Sequence, residues 1–181
     1  MTPGRELRLG VGDLLQRPGT RREVDQELPV PHLAVTGSEV PAGTVATVSL
    51  VVESTADPGT LTVAGTVTAA WSGTCRRCLE PIEGELETEV HEVVARVPVD
   101  EEVWALDGDE VDLGSIVREA LLLALPLAPL CSEGCRGPAP EDFPARSADE
   151  APPDGDDESE GEEAPLADPR WAALDELRFD D

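Results

Sequence analysis

The chain of 181 residues contains no lysine, no asparagine and no tyrosine, and only two phenylalanines and a single methionine. The missing types share AT-rich codons, so their joint absence reads as genomic composition bias rather than as a functional signature. Positive charge is also scarce. Thirteen arginines and two histidines face 39 Asp and Glu, a formal net charge of −26. Binding nucleic acid by bulk counterion release needs clustered positive charge opposite the phosphates. That mode is excluded, and any RNA contact has to be local or made through a partner.

Long apolar runs are lacking too. The longest weakly polar stretch, Ala120 to Leu130, is broken by Pro126 and Pro129, whereas a membrane span needs about 20 apolar residues. The opening MTPGRELRLG carries charges where a signal peptide has its apolar stretch. The expected location is the cytoplasm, where four cysteines are not expected to form structural disulfides.

Enzyme signatures are absent in the same way. The sequence has no GxSxG elbow, no HExxH and no P-loop, and Gly10-Val11-Gly12 lacks the third glycine and the preceding strand of a dinucleotide fingerprint. His32 and His91 lie far apart in sequence and read as surface or packing residues. No pair of carboxylates stands out for acid/base work. A non-enzymatic protein without a small-molecule substrate is expected.

The acidic load is uneven. Residues 149–181 carry 14 acids and two arginines, a net of −12, which leaves 25 acids and 11 arginines for residues 1–148. The stretch Asp149 to Glu163, DEAPPDGDDESEGEE, has almost nothing to bury and cannot offset its ordering entropy, so 149–165 is expected to be a disordered linker. Such a run reads either as a solubilising tail or as a docking arm for a basic partner. Beyond it, Trp171, Leu174 and Leu177 recur at helical spacing behind Asp168 and Pro169, predicting a short C-terminal helix within 166–181.

Within residues 1–148 a single α+β domain is expected. Val45 to Val52 and Leu61 to Trp71 are rich in β-branched residues and flank the turn signal Asp57-Pro58-Gly59, which predicts a hairpin. Leu86 to Val97 reads as a further strand, polar on one face through Glu87, Glu89 and His91, with a bulge expected at Val93-Val94. From Leu113 through Ile116, Val117, Ala120, Leu121 and Ala124 the apolar period becomes 3.6 residues, and Pro126 stops it. The expected architecture is an antiparallel β-sheet, open or barrel-like, packed by one main helix.

One constellation carries recognisable chemistry. Cys75-Arg76-Arg77-Cys78 is followed, 53 residues after Cys78, by Cys131-Ser132-Glu133-Gly134-Cys135. Two close pairs of soft ligands, each on a tight turn, are what a tetrahedral zinc site needs. Arg76, Arg77 and Arg136 stand close enough in sequence to moderate the charge of four thiolates. Unmetallated thiols and a redox pair at Cys75/Cys78 are the alternatives, the latter weakened because Leu79-Glu80-Pro81 argues for a turn rather than a helix start.

These residues converge on a family. CRRCLEPIEGELETEVHE, then DGDEVDLGSIVREALLLALPLAPLCSEGC, then DPRWAALDEL, together with LLQRPGTRREV near the N-terminus, resemble the YceD-like large ribosomal RNA subunit accumulation proteins in their actinobacterial form. The resemblance implies a cytoplasmic, non-enzymatic factor of large-subunit ribosome biogenesis that affects 23S rRNA accumulation. Reconciling that role with the acidic composition, the expected partner is a basic large-subunit ribosomal protein held by the acidic surface and the Asp149 to Glu163 arm, and the competing expectation is precursor 23S rRNA contacted through Arg76, Arg77 and Arg136. A structural zinc on Cys75, Cys78, Cys131 and Cys135 is the expected cofactor. A further Cys pair usual in the actinobacterial pattern is missing, with Ala139 and Asp142 in its place. The competing function class is a regulatory interaction module whose Cys quartet senses metal or oxidation.

Overall fold

The computed structural model describes residues 7–138 and Glu141, all within the first of two compact units, Met1–Ala145. The expected boundaries at 148 and 165, the acidic linker and the terminal helix around Trp171 lie outside the described residues.

The expected hairpin is the centre of the fold. Strand β5 (Val45–Ser54) pairs antiparallel with β6 (Thr60–Thr74). Alternation decides which side faces inward: Val48, Leu50 and Val52 on β5 and Leu61, Val63, Val67 and Ala69 on β6 are buried. Gly65 sits where the two strands press closest. A Cβ there would lie 2.1 Å from the Ser49 carbonyl oxygen, and its φ of +149° is one that side chains disfavour.

Strand β2 (Arg21–Pro29) extends the sheet on the far side of β5. Strand β7 (Pro81–Ala95) extends it on the other side of β6, and the short β8 (Trp104–Ala105) adds to the last residues of β7 in parallel. The hairpin of β3 (Leu33–Val35) and β4 (Ser38–Val40) joins β6 near Ser72 and Gly73. The sheet is open, with β2 and β7 as its flanks, and does not close into a barrel. A separate antiparallel pair, β1 (Arg8–Gly10) with β9 (Glu110–Asp112), leads into helix α1 (Leu113–Ala124).

Helix α1 starts at Asp112, whose carboxylate accepts from the Ser115 amide at 3.1 Å and from the Ser115 hydroxyl at 2.8 Å. It ends before Pro126, which has no amide to continue the ladder. Leu113, Ile116, Val117 and Leu121 are buried and close the core over the inner face of the sheet. The fold is therefore α+β, mostly antiparallel sheet with one helix among the described residues. Among the described residues no helix is long and apolar enough to cross a membrane.

The expected bulge does not form. The register between β6 and β7 runs without interruption from Thr60 opposite Ala95 to Thr74 opposite Pro81. Val94 points into the core and Val93 points out, 36% exposed. The adjacent apolar pair is a core residue beside a surface valine, which costs less than breaking a central ladder.

Candidate metal centre

Strand β6 ends three residues later and β7 starts five residues earlier than expected, and the consequence is local to the cysteines. Because β6 reaches Thr74 and β7 begins at Pro81, the CxxC motif is itself the connection of this hairpin. Cys75 donates its amide to the Glu80 carbonyl at 2.9 Å, and Leu79 donates to the Cys75 carbonyl at 3.0 Å. Leu79 closes that single turn in the left-handed region, φ 64°, as a helix-ending residue does. Its side chain gains little in return, being 69% exposed.

The second pair follows the exit of α1 through Pro126 and Pro129. Cys135 donates to the Ser132 carbonyl at 3.1 Å, folding 131–135 into its own tight turn. Protein contacts hold the two turns together. The Arg76 amide donates to the Pro129 carbonyl at 2.9 Å, and the Arg77 guanidinium reaches the carbonyls of Glu133 at 3.2 Å and Cys135 at 2.8 Å. The β3–β4 turn braces this end: the Thr74 amide donates to the Gly37 carbonyl at 3.0 Å, and the Ser38 hydroxyl to the Pro126 carbonyl at 2.7 Å. Gly73 permits that approach, since a Cβ there would lie 2.5 Å from the Gly37 oxygen.

The four sulfurs converge. Cys75 Sγ lies 3.8 Å from Cys135 Sγ, Cys78 Sγ lies 3.7 Å from Cys131 Sγ, and all four fall within 4.8 Å of one another. A tetrahedron of thiolates at the usual zinc–sulfur distance of about 2.3 Å has edges of about 3.8 Å. The two sulfur–sulfur contacts match that edge and are far longer than a disulfide bond, and the cysteines are free. Cys75 is buried, Cys78 and Cys135 are half-buried, and Cys131 is exposed. The donor set and spacing are compatible with a zinc site.

Electrostatics separate the thiols. Backbone amides of Cys78, Cys131 and Arg77 point at the Cys75 sulfur and lower its pKa to about 6 despite burial. At Cys78 the Glu80 amide is the largest single influence and favours the thiolate. The neighbouring Cys75, burial, Cys131 and Cys135 together outweigh it and push the thiol up to about 12. Cys131 is raised as well, chiefly by Cys135. Without a cation, negative charge therefore settles on Cys75 and is resisted at Cys78 and Cys131. A divalent ion is what would let the remaining thiols ionise together.

Arg76, Arg77 and Arg136 are all exposed at this end. Arg8, Arg21, Arg22 and Arg96 face carboxylates elsewhere in the fold. Among the described residues no ion pair is formed by the three arginines beside the cysteines. The carbonyls that hold Arg77 leave its charge uncancelled. The histidines lie apart from the tetrad: both are exposed, and His32 Nε2 lies 2.8 Å from Glu39 Oε2. Sequence reasoning did not find the left-handed Leu79, nor the bracing by Gly37 and Ser38, which comes from a hairpin it left unread.

The model of one protein family, described as Large ribosomal RNA subunit accumulation protein YceD, matches residues 63–178. The chain belongs to the YceD family. The matched region opens inside β6 and includes both cysteine turns, β7 and α1. Similarity to uncharacterized proteins of Mycobacterium tuberculosis and Mycobacterium bovis extends further, at 30% identity over 94% of this chain and 81% of theirs. An uncharacterized protein of Mycobacterium leprae is 32% identical over 60% of this chain and 54% of its own. No solved structure matches. Membership of the YceD family ties the protein to accumulation of the large-subunit ribosomal RNA.

Proposed function

We propose that the protein is a non-enzymatic factor of large ribosomal subunit biogenesis. In this reading it supports 23S rRNA accumulation by holding a basic large-subunit ribosomal protein until assembly, and a structural zinc on Cys75, Cys78, Cys131 and Cys135 fixes one end of the fold. The family supplies the process. The observation that carries the partner is the charge of the bare sheet face. Strand register puts Glu23, Asp25 and Glu27 of β2, Glu53 of β5 and Glu83, Glu85, Glu87 and Glu89 of β7 on the side away from α1, all exposed. Between these flanks lies a floor of small residues, Thr62, Ala64, Thr66, Thr68 and Ala70. Such a surface attracts a cationic chain with salt-sensitive affinity and repels a phosphate backbone.

A second reading, contact with precursor rRNA, is favoured by Arg76, Arg77 and Arg136, three exposed arginines that gather at the cysteine end and form no ion pair among the described residues. One experiment separates the two: affinity co-purification from native lysate at low salt, with and without nuclease. Large-subunit proteins retained after nuclease support the protein partner. Enrichment lost with nuclease moves the reading to the arginines, and enrichment of neither overturns both.

A further inference from the structure

Strand β7 is an unusual flank for a sheet. It is 15 residues long, its register with β6 is unbroken, and β8 covers only Val94 and Ala95. Among the described residues, 82–92 take backbone partners from β6 alone. Every second residue of that stretch therefore turns both its N–H and its C=O outward, along an edge of roughly 35 Å at about 3.4 Å per residue. Proteins usually blunt such an edge by shortening it, bulging it, placing proline in it or covering it. Here the stretch after Pro81 has no proline and no bulge. Charge of a single sign is its one visible guard, with Glu83, Glu85, Glu87 and Glu89 all on the outer face.

That guard is selective. A second copy of β7 added to this edge would set glutamate opposite glutamate, which is repulsive. A strand carrying Lys or Arg at alternate positions would set a cation opposite each of the four. Its intervening side chains would continue the inner face beyond the half-buried Ile82 and Leu86 and the buried Val90. The opposite flank, β2, is shorter, ends in Pro29 and mixes Arg21 with its acids.

We propose that the open edge of β7 between Ile82 and Glu92 is a β-augmentation site for an extended basic segment of a partner protein, one that alternates Lys or Arg with small or apolar residues. This rests on the proposed ribosomal-protein partner and names the part of it that is bound and how. Backbone pairing supplies the register, and the glutamate row selects the sequence.

The test uses the full-length protein and ten-residue synthetic peptides alternating Lys with Val. One peptide is unmodified, one has the same composition with its lysines clustered, and two are N-methylated on alternate amides in opposite parities. Binding is followed by fluorescence anisotropy and by hydrogen exchange of residues 82–92. The expected result is that the alternating peptide binds and slows exchange there at least tenfold. The clustered peptide and one methylated parity lose at least tenfold in affinity, and Glu85→Lys/Glu87→Lys loses as much. Equal binding by all four peptides, no binding by any, or binding without protection of 82–92 would overturn the proposal. A charge-reversed variant that self-associates while the wild type ignores the peptides would leave the glutamates as guards alone, which also overturns it. The methylated peptides decide the matter on wild-type protein should the variant misfold. Ribosomal proteins retained by a variant that has lost the peptide would refute the edge and leave the partner intact.

Discussion

Removing metal should cost a calculable amount of stability without dissolving the fold. A bridge between Cys78 and Cys131 spans 53 residues, and the chain-entropy relation for a cross-link of that length gives about 4 kcal/mol. Saturation with free zinc at about a thousand times its dissociation constant gives a similar figure, about 4 kcal/mol. For about 130 ordered residues at about 2.1 cal/mol/K each, this corresponds to a fall in Tm of about 15 °C on chelation. The sheet should survive that loss, because the buried hydrophobic cluster takes no residue from 75–80 or from 127–138. The assay is a pair of thermal melts with and without a strong chelator, read by far-UV circular dichroism. Metal content should be close to one zinc per chain, and cobalt substitution should give the intense visible bands of a tetrahedral thiolate site. Hydrogen exchange should quicken in the two cysteine turns and change little in β5 and β6. A protein purified from zinc-replete cells without bound metal, whose melt moves by less than about 2 °C with chelator, would refute the reasoning.

Gly65→Ala should be the most damaging single-methyl change in the sheet. The added carbon meets backbone on a central strand, so a loss of at least about 3 kcal/mol is expected in urea unfolding, against about 1 kcal/mol for Gly19→Ala, whose Cβ would meet nothing within 4 Å. Leu79→Gly should stabilise by about 0.5–1 kcal/mol, since it relieves a left-handed leucine that buries little; a loss of stability would show that the exposed side chain has an unseen contact. Arg77→Ala should weaken zinc affinity by roughly tenfold in a competition titration, because it cuts both straps to the second cysteine turn, and Arg76→Ala, which leaves its backbone bond to Pro129, should not. Equal effects of the two would remove the strapping role from Arg77.

Much of the fold was legible because its pattern is strong where burial is one-sided. The β5–β6 hairpin announces itself by alternation around Asp57-Pro58-Gly59, and α1 by its 3.6-residue period and its proline stop. Strand β2 was not legible. In RREVDQELP only Val24 and Leu28 are buried, a spacing of four that mimics a helix face, and the segment is a strand because β5 offers it a free ladder. The expected bulge came from reading Val93-Val94 as two core residues, although one apolar residue on a surface face costs little. The cysteine spacing pointed to a paired-turn site, and the structure brings all four sulfurs together. How the turns are held was hidden, since the straps run from Arg77 to backbone carbonyls and from the β3–β4 turn, and neither leaves a mark in local sequence.

The position of the CxxC turn at the tip of the β6–β7 hairpin also sets an order of events in time. The first cysteine pair leaves the ribosome 53 residues ahead of Cys131, a delay of roughly 3–10 s at about 5–20 residues per second. During that interval Cys75 and Cys78 offer an incoming ion only two of its four ligands. The other two arrive behind α1, once the helix that closes the core has been made. A completed tetrad is thus a record that the chain has been read past α1.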